Sequence, residues 1–318
     1  MKKSKAESET ESETENSYEN GLKVKATIGP EQRTEKWHGL KRNSIGASEA
    51  ELAIGGECYG KSRKHLIDRK VAITQPFNTS PAMDFGNKYE VVAKEILTRK
   101  FHKCEVVGDC PFIIHEKYPF IGASPDALII DHKRKKAILS EIKVPYSRVV
   151  DGTINPEYMT QLLWQMEVCG IEQNLFCDVS IKEFRTCEKI LSLNPKLCGI
   201  TIKSHKKPHK RAIKTDLPLW WAVFAKNSKK LEKFKKIEKK YKDKESRMKK
   251  MDDHRHITQL FYYFGVLDYK LTMIQRDRKW FKKVLPTVKN TWAEIEHRRA
   301  HIDEMEEYEI YGIDYLPK

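Results

Sequence analysis

The sequence lacks most features that settle a function at a glance. Nowhere in its 318 residues do 18 apolar residues run together, so no segment has the length of a transmembrane helix. The first residues lack the apolar core of a secretory signal, which argues for an intracellular protein. The seven cysteines (58, 104, 110, 169, 177, 187 and 198) are odd in number and include no C-x-x-C pair. That argues against a zinc ribbon and for reduced thiols. The 11 histidines form no H-x-E pattern, and His205 and His209 lie in a lysine-rich stretch that reads as solvated, so a histidine metal site is not expected. No internal repeat is visible. Hydrophobic residues make up 39%, low for a globular chain but enough for a core.

What the chain has in excess is positive charge. Lys and Arg number 60 against 45 Asp and Glu, a net of +15. A polyanionic partner such as nucleic acid is one reading, and solvated lysine-rich faces are the other. The excess is local. Residues 203–250 hold 19 basic and 5 acidic side chains, a net of +14, and the rest of the chain carries +1.

Along the chain, residues 1–20 (MKKSKAESETESETENSYEN) interleave six glutamates with Ser and Thr and read as a disordered tail. Organisation starts near Trp37, which reads as a packing residue. Residues 47–54 and 62–70 look like short helices, and 85–100 place Tyr89, Val92, Ala93 and Ile96 at helical spacing. β-like runs follow at 104–107, 111–114, 127–130 and 137–144. Helical periodicity returns over 156–169, and 175–181 alternate as a strand. Over 227–251, Leu231, Phe234, Ile237, Tyr241, Met248 and Met251 form a narrow stripe on a lysine-covered helix. This helix reads equally as a DNA-backbone clamp or as an exposed helix solubilised by charge. A strand is expected over 266–276 and a closing helix over 278–307, whose acidic end (Asp303, Glu304, Glu306, Glu307, Glu309) reads as solvated.

Chemistry concentrates in residues 124–145, SPDALIIDHKRKKAILSEIKVP. The polar stretch 131–136 separates two β-like runs, as a hairpin loop would. If Ile130 pairs with Ala137, Asp126 falls opposite Glu141, with Cβ atoms roughly 5 Å apart. Glu141 and Lys143 then share one face while Ile142 points into the core. Two ionised carboxylates that close repel by roughly 3 kcal/mol at an effective dielectric near 20. A shared proton, Lys143 or a hard divalent cation such as Mg²⁺ or Mn²⁺ would offset this. Such a metal could lower the pKa of a bound water and stabilise a phosphorane-like oxyanion. An ordinary solvent-facing hairpin with a Glu–Lys pair is the alternative.

Four segments resemble a known family. The hairpin resembles the PD-(D/E)xK nuclease motif, with Asp126, Glu141 and Lys143 in its slots. GNKYE (86–90) resembles the G-x-x-[FY]-E segment of that superfamily, ending here in Glu90. EYMTQLLWQM (157–166) resembles the Y-x-x-Q helix that follows the core, with Gln161 and then Gln165. WHGLKRNSIGAS (37–48) resembles the start of the phage lambda exonuclease domain, where Trp, a basic residue and a terminal Ser recur at this spacing. All four stand in the expected order. Together they resemble the lambda-exonuclease, or YqaJ-type viral recombinase, family over about 37–181, with a weaker echo in 267–297. The lysine-rich C-terminal half resembles members from large DNA viruses of eukaryotes.

The resemblance implies an α/β fold with a restriction-endonuclease-like core, a mixed central β-sheet flanked by α-helices, and a lysine-rich helical C-terminal extension. The expected organisation is a disordered acidic tail over 1–30, the nuclease core over 31–202, a lysine-rich helical insertion over 203–260, and a strand and helix completing the domain over 261–318. The implied activity is a divalent-metal-dependent deoxyribonuclease that digests duplex DNA from a 5′ end, using two Mg²⁺ or Mn²⁺ ions about 4 Å apart. The cysteines lack the clustering of relatives that hold an iron–sulfur cluster, so none is expected. Asp126 and Glu141 would ligate the metals with the Ile142 carbonyl, and Glu90 would complete the shell directly or through water. Lys143 would orient or help deprotonate the attacking water, with a pKa depressed by desolvation beside metal. Gln161 would support the lysine or the water.

A 5′-phosphate pocket carries over onto Ser48, onto Lys41 or Arg42, and onto Arg148, whose planar guanidinium suits a terminal phosphate. Arg148 departs by one residue from the phage spacing, and Ala127 stands where Gly is frequent. Implied partners are double-stranded DNA ends and a single-strand annealing protein, with a homo-oligomer (a trimer in the phage relative), no membrane, and a host cytoplasmic or nuclear location. Competing functions are an endonuclease or RNA-degrading nuclease on the same fold, and a catalytically inactive DNA-binding or host-interaction protein. The intact set Glu90, Asp126, Glu141 and Lys143 argues against the last.

Overall fold

The computed structural model describes residues 5–27, 29, 34–72, 80–190, 192–204, 206–208, 210–214, 220–225, 227–251 and 261–302. In chain order the elements are α1 (Lys5–Ala26), α2 (Glu35–Arg42), β1 (Ile45–Gly46), α3 (Ala50–Ala53), α4 (Arg63–Val71) and α5 (Pro81–Lys100). Five strands follow: β2 (Glu105–Gly108), β3 (Ile113–Ile114), β4 (Ile121–Ala123), β5 (Ala127–Asp131) and β6 (Lys136–Lys143). Then come α6 (Pro156–Cys169), β7 (Gln173–Phe184), β8 (Cys198–Lys203), β9 (Ile213–Lys214), β10 (Trp220–Phe224), α7 (Ser228–Met251), β11 (Phe261–Gln275) and α8 (Arg278–Ala300).

The hairpin folds in the register that its polar loop dictates. Ile130 pairs with Ala137 and Ala127 with Ser140, antiparallel, so continuing the register sets Asp126 against Glu141. β6 then pairs in parallel with β7, Lys143 beside Asp178. A parallel neighbour requires a crossover, and α6 supplies it. Pro156 opens that helix and Gly170, at φ +63°, closes it in the left-handed conformation that glycine accepts without strain. β7 pairs along its length with β11, which also pairs with β8. The result is an eight-stranded mixed sheet in the order β2-β5-β6-β7-β11-β8-β10-β9, beside a small sheet β1-β4-β3.

Strand alternation divides the core. Ala127, Ile129, Ile142, Cys177 and Val179 pack with Tyr89, Val92, Ala93 and Ile96 of α5. Leu128, Ile130, Ala137 and Leu139 face the other way, onto Met166 and Cys169 of α6 and Val24 of α1. A third cluster joins Leu66, Ile67, Trp164, Val288 and Trp292 across α4, α6 and α8. The architecture is thus a mixed sheet with helices on both faces, the restriction-endonuclease-like arrangement.

Three expectations need correction. Residues 1–30 are not a disordered tail throughout, because α1 docks on the hairpin. Ser17 and Val24 are buried, Asn20 donates to the Gly170 carbonyl (2.8 Å), and Lys25 pairs with Glu105 (2.7 Å). The acidic repeat hides a short docking stripe at Tyr18, Leu22 and Val24. The lysine-rich insertion is not wholly helical, since the run Trp220–Phe224 is aromatic and β-branched and extends the sheet as β10 before α7 begins. The late strand starts earlier, at Phe261, for the same reason. On α7, Phe234 and Tyr241 are buried and Tyr241 stacks on Phe261 (6.4 Å). The side chains of Leu231, Met248 and Met251, with His205, His209 and residues 303–318, lie outside what is described.

Gly21 and Gly39 test the docking of α1. Both lie in helices, where Ala normally outranks Gly by about 0.5–1 kcal/mol. A Cβ on Gly21 would collide with the Ala137 methyl, whereas one on Gly39 meets nothing within 4 Å. Urea unfolding should show Gly39→Ala stabilising by about 0.5 kcal/mol and Gly21→Ala destabilising by about 1–3 kcal/mol. Stabilisation by both would mean that α1 does not dock.

Candidate active site

The hairpin carries Asp126, Glu141 and Lys143 to one place, and α6 closes over them. Glu141 is only 2% exposed. Its Oε1 accepts from Lys143 Nζ at 2.5 Å and from Gln161 Nε2 at 2.6 Å, and its Oε2 accepts from Gln165 Nε2 at 2.6 Å. Gln161 and Gln165 are four residues apart, so the helix repeat sets both amides over the same carboxylate. Gln165 is held in turn, because its Oε1 accepts from Asn174 Nδ2 at 2.8 Å. Charge-assisted bonds of this kind are roughly twice as strong as neutral ones and fix the carboxylate's orientation.

Asp126 sits at the mouth of the hairpin, and its Oδ2 accepts from the Ile142 N–H at 2.7 Å. Burial, then Glu141, then Glu90 push its carboxyl well above the usual range; Lys143 and the Ile142 amide only partly offset this. An ionised Asp126 would therefore leave the patch with more negative charge than its protein cations neutralise. Burial alone would lower the Lys143 ammonium, but Glu141 and Asp126 outweigh it and raise the group above its ordinary value. Between two carboxylates and without a second cation, Lys143 is therefore held as an ammonium; the depression expected beside a metal concerns the loaded site.

Glu90 acts on Asp126 through its charge, but its carboxylate pairs with Lys94 one helical turn away (2.7 Å), which also pairs with Asp109 (2.5 Å). Among the described residues no three of His, Cys, Asp and Glu close on one point as a metal cage. In this arrangement the Glu90 carboxylate is engaged by Lys94. The donor set nonetheless suits a hard divalent ion, because Asp126 and Glu141 both offer carboxylate oxygens.

Arg148 stands beside this patch with its guanidinium engaged by the fully buried Asp178 in a two-pronged pair, both distances 2.8 Å. The Tyr158 ring is near both cations, 5.0 Å from Lys143 Nζ and 5.9 Å from the Arg148 guanidinium carbon. The expected phosphate-binding residues at 41–48 belong to a separate cluster. There the buried Glu49 accepts from Lys70 (2.7 Å), Arg69 (2.6 Å) and the Gly46 N–H (2.9 Å). Burial opposes ionisation of Glu49, yet Lys70, Arg69 and Lys41 outweigh it and hold the group down at about 2. Lys41 lies over the Trp37 ring (4.7 Å), Arg42 donates to the Ala72 carbonyl (2.9 Å), and Ser48 is exposed. Thr160 of α6 reaches this side of the molecule through Glu51 (2.5 Å).

Sequence reading thus grouped Asp126, Glu141, Lys143 and Gln161 correctly in space, and left Glu90, Arg148 and the 41–48 residues with partners it had not named. It missed Asn174, Asp178 and the supporting bond of Gln165. The Q-x-x-x-Q spacing of α6 carried a signal for Gln165, whereas Asn174 and Asp178 reach the site only through the parallel pairing of β7.

Residues 36–172 match the YqaJ-like viral recombinase domain. Protein D345L of African swine fever virus (strain Badajoz 1971 Vero-adapted) is 26% identical over 156 residues, a match covering 42% of this chain and 45% of that one. D345L of isolate Tick/South Africa/Pretoriuskop Pr4/1996 is 24% identical over the same coverage, so the match spans less than half of these relatives. Among solved structures, an alkaline exonuclease (LHK-Exo) from Laribacter hongkongensis superposes with a TM-score of 0.50 at 18% identity, covering 85% of this chain and 97% of that one, a likeness of fold. The chain thus resembles the YqaJ-like viral recombinase domain in sequence over residues 36–172, and LHK-Exo in fold over most of its length.

Proposed function

We propose that the chain is a divalent-metal-dependent deoxyribonuclease, acting as a 5′→3′ exonuclease on duplex DNA ends. The observation that carries this reading is the Asp126–Glu141 pair, set together by the hairpin register with Lys143 on the same face. The similarity of residues 36–172 to viral recombinase domains supports it. A divalent ion, Mg²⁺ or Mn²⁺, would be held by Asp126, Glu141 and the Ile142 carbonyl, with Glu90 acting through water, and would supply Lewis acidity at the phosphodiester.

The chain's own residues do the rest. Gln161 and Gln165 keep Glu141 from rotating. Lys143, charged and partly buried, donates toward the non-bridging oxygen of the substrate or the attacking water. Arg148 releases one prong from Asp178 to meet a phosphate, and Lys41 and Ser48 extend phosphate binding toward the DNA end. The lysines of α7, with Lys233, Lys236, Lys239 and Lys240 on its solvent side, act as a backbone clamp. Duplex ends are the proposed partner, with an annealing protein and a homo-oligomer as further expectations of the resemblance.

Incubation with linear 5′-phosphorylated, linear 5′-hydroxyl and closed circular duplexes tests this reading. Mg²⁺-dependent loss of the linear forms, fastest with the 5′-phosphate and abolished by EDTA, is expected. Rapid cleavage of circles would overturn the exonuclease in favour of an endonuclease. Asp126→Ala and Lys143→Ala should each reduce degradation by about 10²-fold or more while DNA binding persists.

Removing one of three mutually repelling carboxylates relieves the fold. Asp126→Asn should raise stability in EDTA near pH 7 by about 0.5–2 kcal/mol. Mg²⁺ should raise the Tm of the wild type and not of this variant. Replacing Lys233, Lys236, Lys239 and Lys240 by Gln should flatten the dependence of log K on log salt, by up to about 0.9 for each lysine that no longer neutralises a phosphate. Degradation at low salt should be retained.

A further inference from the structure

Between α3 and α4 the chain forms a loop over residues 55–61, closed at its tip by the paired backbones of Cys58 and Lys61. Three of its residues are left-handed: Gly55 (φ +95°), Tyr59 (φ +51°) and Gly60 (φ +70°). The two glycines adopt this conformation freely, while a bulky aromatic residue adopts it only under strain. Tyr59 is also 76% exposed, so core packing does not account for it. Its fixed point is the hydroxyl, 2.8 Å from the hydroxyl of Tyr158. Tyr158 leans on the buried Phe176 (5.7 Å) and carries Lys143 over its ring. A strained loop thus holds an open aromatic face one side chain away from the ammonium of the proposed site.

The charges around it say what kind of molecule fits. Lys143 and Arg148 are both near Tyr158, so a ligand resting on Tyr59 meets cations at its other end. A nucleotide has both parts in one unit: an anionic phosphodiester and a flat base. We propose, resting on the nuclease reading above, that Tyr59 is a substrate-contacting residue whose ring stacks on a nucleobase of the strand whose phosphodiester lies at Lys143. Stacking on a single ring accepts any of the four bases, because each has a π face, so Tyr59 fixes the position of the strand and reads no sequence. The bond to Tyr158 sets the distance between the stacked base and Lys143.

The test is equilibrium binding of 5′-phosphorylated duplexes by the full chain in Ca²⁺ and without Mg²⁺, comparing intact ends with ends carrying abasic nucleotides at the first three 5′ positions. The wild type should bind the intact end about tenfold more tightly, the ratio expected from the loss of one stacked base. Tyr59→Phe, which keeps the ring but loses the bond to Tyr158, should retain part of that preference. Tyr59→Ala and Tyr59→Gly should abolish it. Tyr59→Gly relieves the left-handed strain and should keep or raise the Tm, which separates lost stacking from lost folding. Leu267→Ala, at another exposed apolar position, should change nothing. A preference that survives Tyr59→Ala, or is missing from a wild type that binds DNA, overturns the proposal and leaves the nuclease reading standing. A wild type that binds no duplex overturns both.

Discussion

Two carboxylates on adjacent strands, Asp126 and Glu141, are brought together beside one ammonium, and much of the surrounding architecture serves to hold that unfavourable arrangement. Like charges this close would separate or share a proton in a looser structure. Here the strand pairing forbids separation, because moving either carboxylate breaks the hairpin register and turns apolar side chains off the core. Burial forbids the easy relief of hydration. What remains is compensation by donors, and the chain supplies Lys143, Gln161, Gln165 and the Ile142 amide. On the reading proposed above, a hard cation would supply the compensation that these donors leave incomplete.

The same logic runs outward from this centre. Gln165 orients Glu141 only because Asn174 holds Gln165, and Asn174 is in place because β7 runs parallel to β6. Asp178, on that same strand, is fully buried and pairs with Arg148. Removing one partner of such a pair leaves an uncompensated buried charge, commonly a loss of about 3–5 kcal/mol. β7 therefore positions the site twice, once through an amide and once through an ion pair, and β11 braces β7 along nearly its whole length. A second cluster around Glu49 repeats the device with the sign reversed, one carboxylate among Lys41, Arg69 and Lys70.

Local sequence carried the parts of this structure that depend on local chemistry. The polar loop 131–136 between two apolar runs fixed where the hairpin turns, and the pairing of Ile130 with Ala137 followed from it. Pro156 and Gly170 bracket α6, and its observed span agrees with the periodicity at both ends. Long-range placement was not legible. Asn174 and Asp178 lie in an alternating strand like any other until β7 is set beside β6. The docking of α1 rests on three apolar residues inside an acidic repeat, too few to outweigh composition. The upward push on Lys143 in the metal-free site depends on two carboxylates arriving together, which burial alone does not show. Tyr59 has no motif at all, and its significance comes from a backbone angle and a neighbour about a hundred residues away.

The proposed nuclease activity requires that the Asp126–Glu141 patch receive a divalent cation. Crystals grown with Mn²⁺ and measured for anomalous scattering test this without recourse to activity. A peak is expected at the patch that Asp126, Glu141 and the Ile142 carbonyl would provide. An empty patch at saturating Mn²⁺, with Lys143 still bonded to Glu141, would refute it.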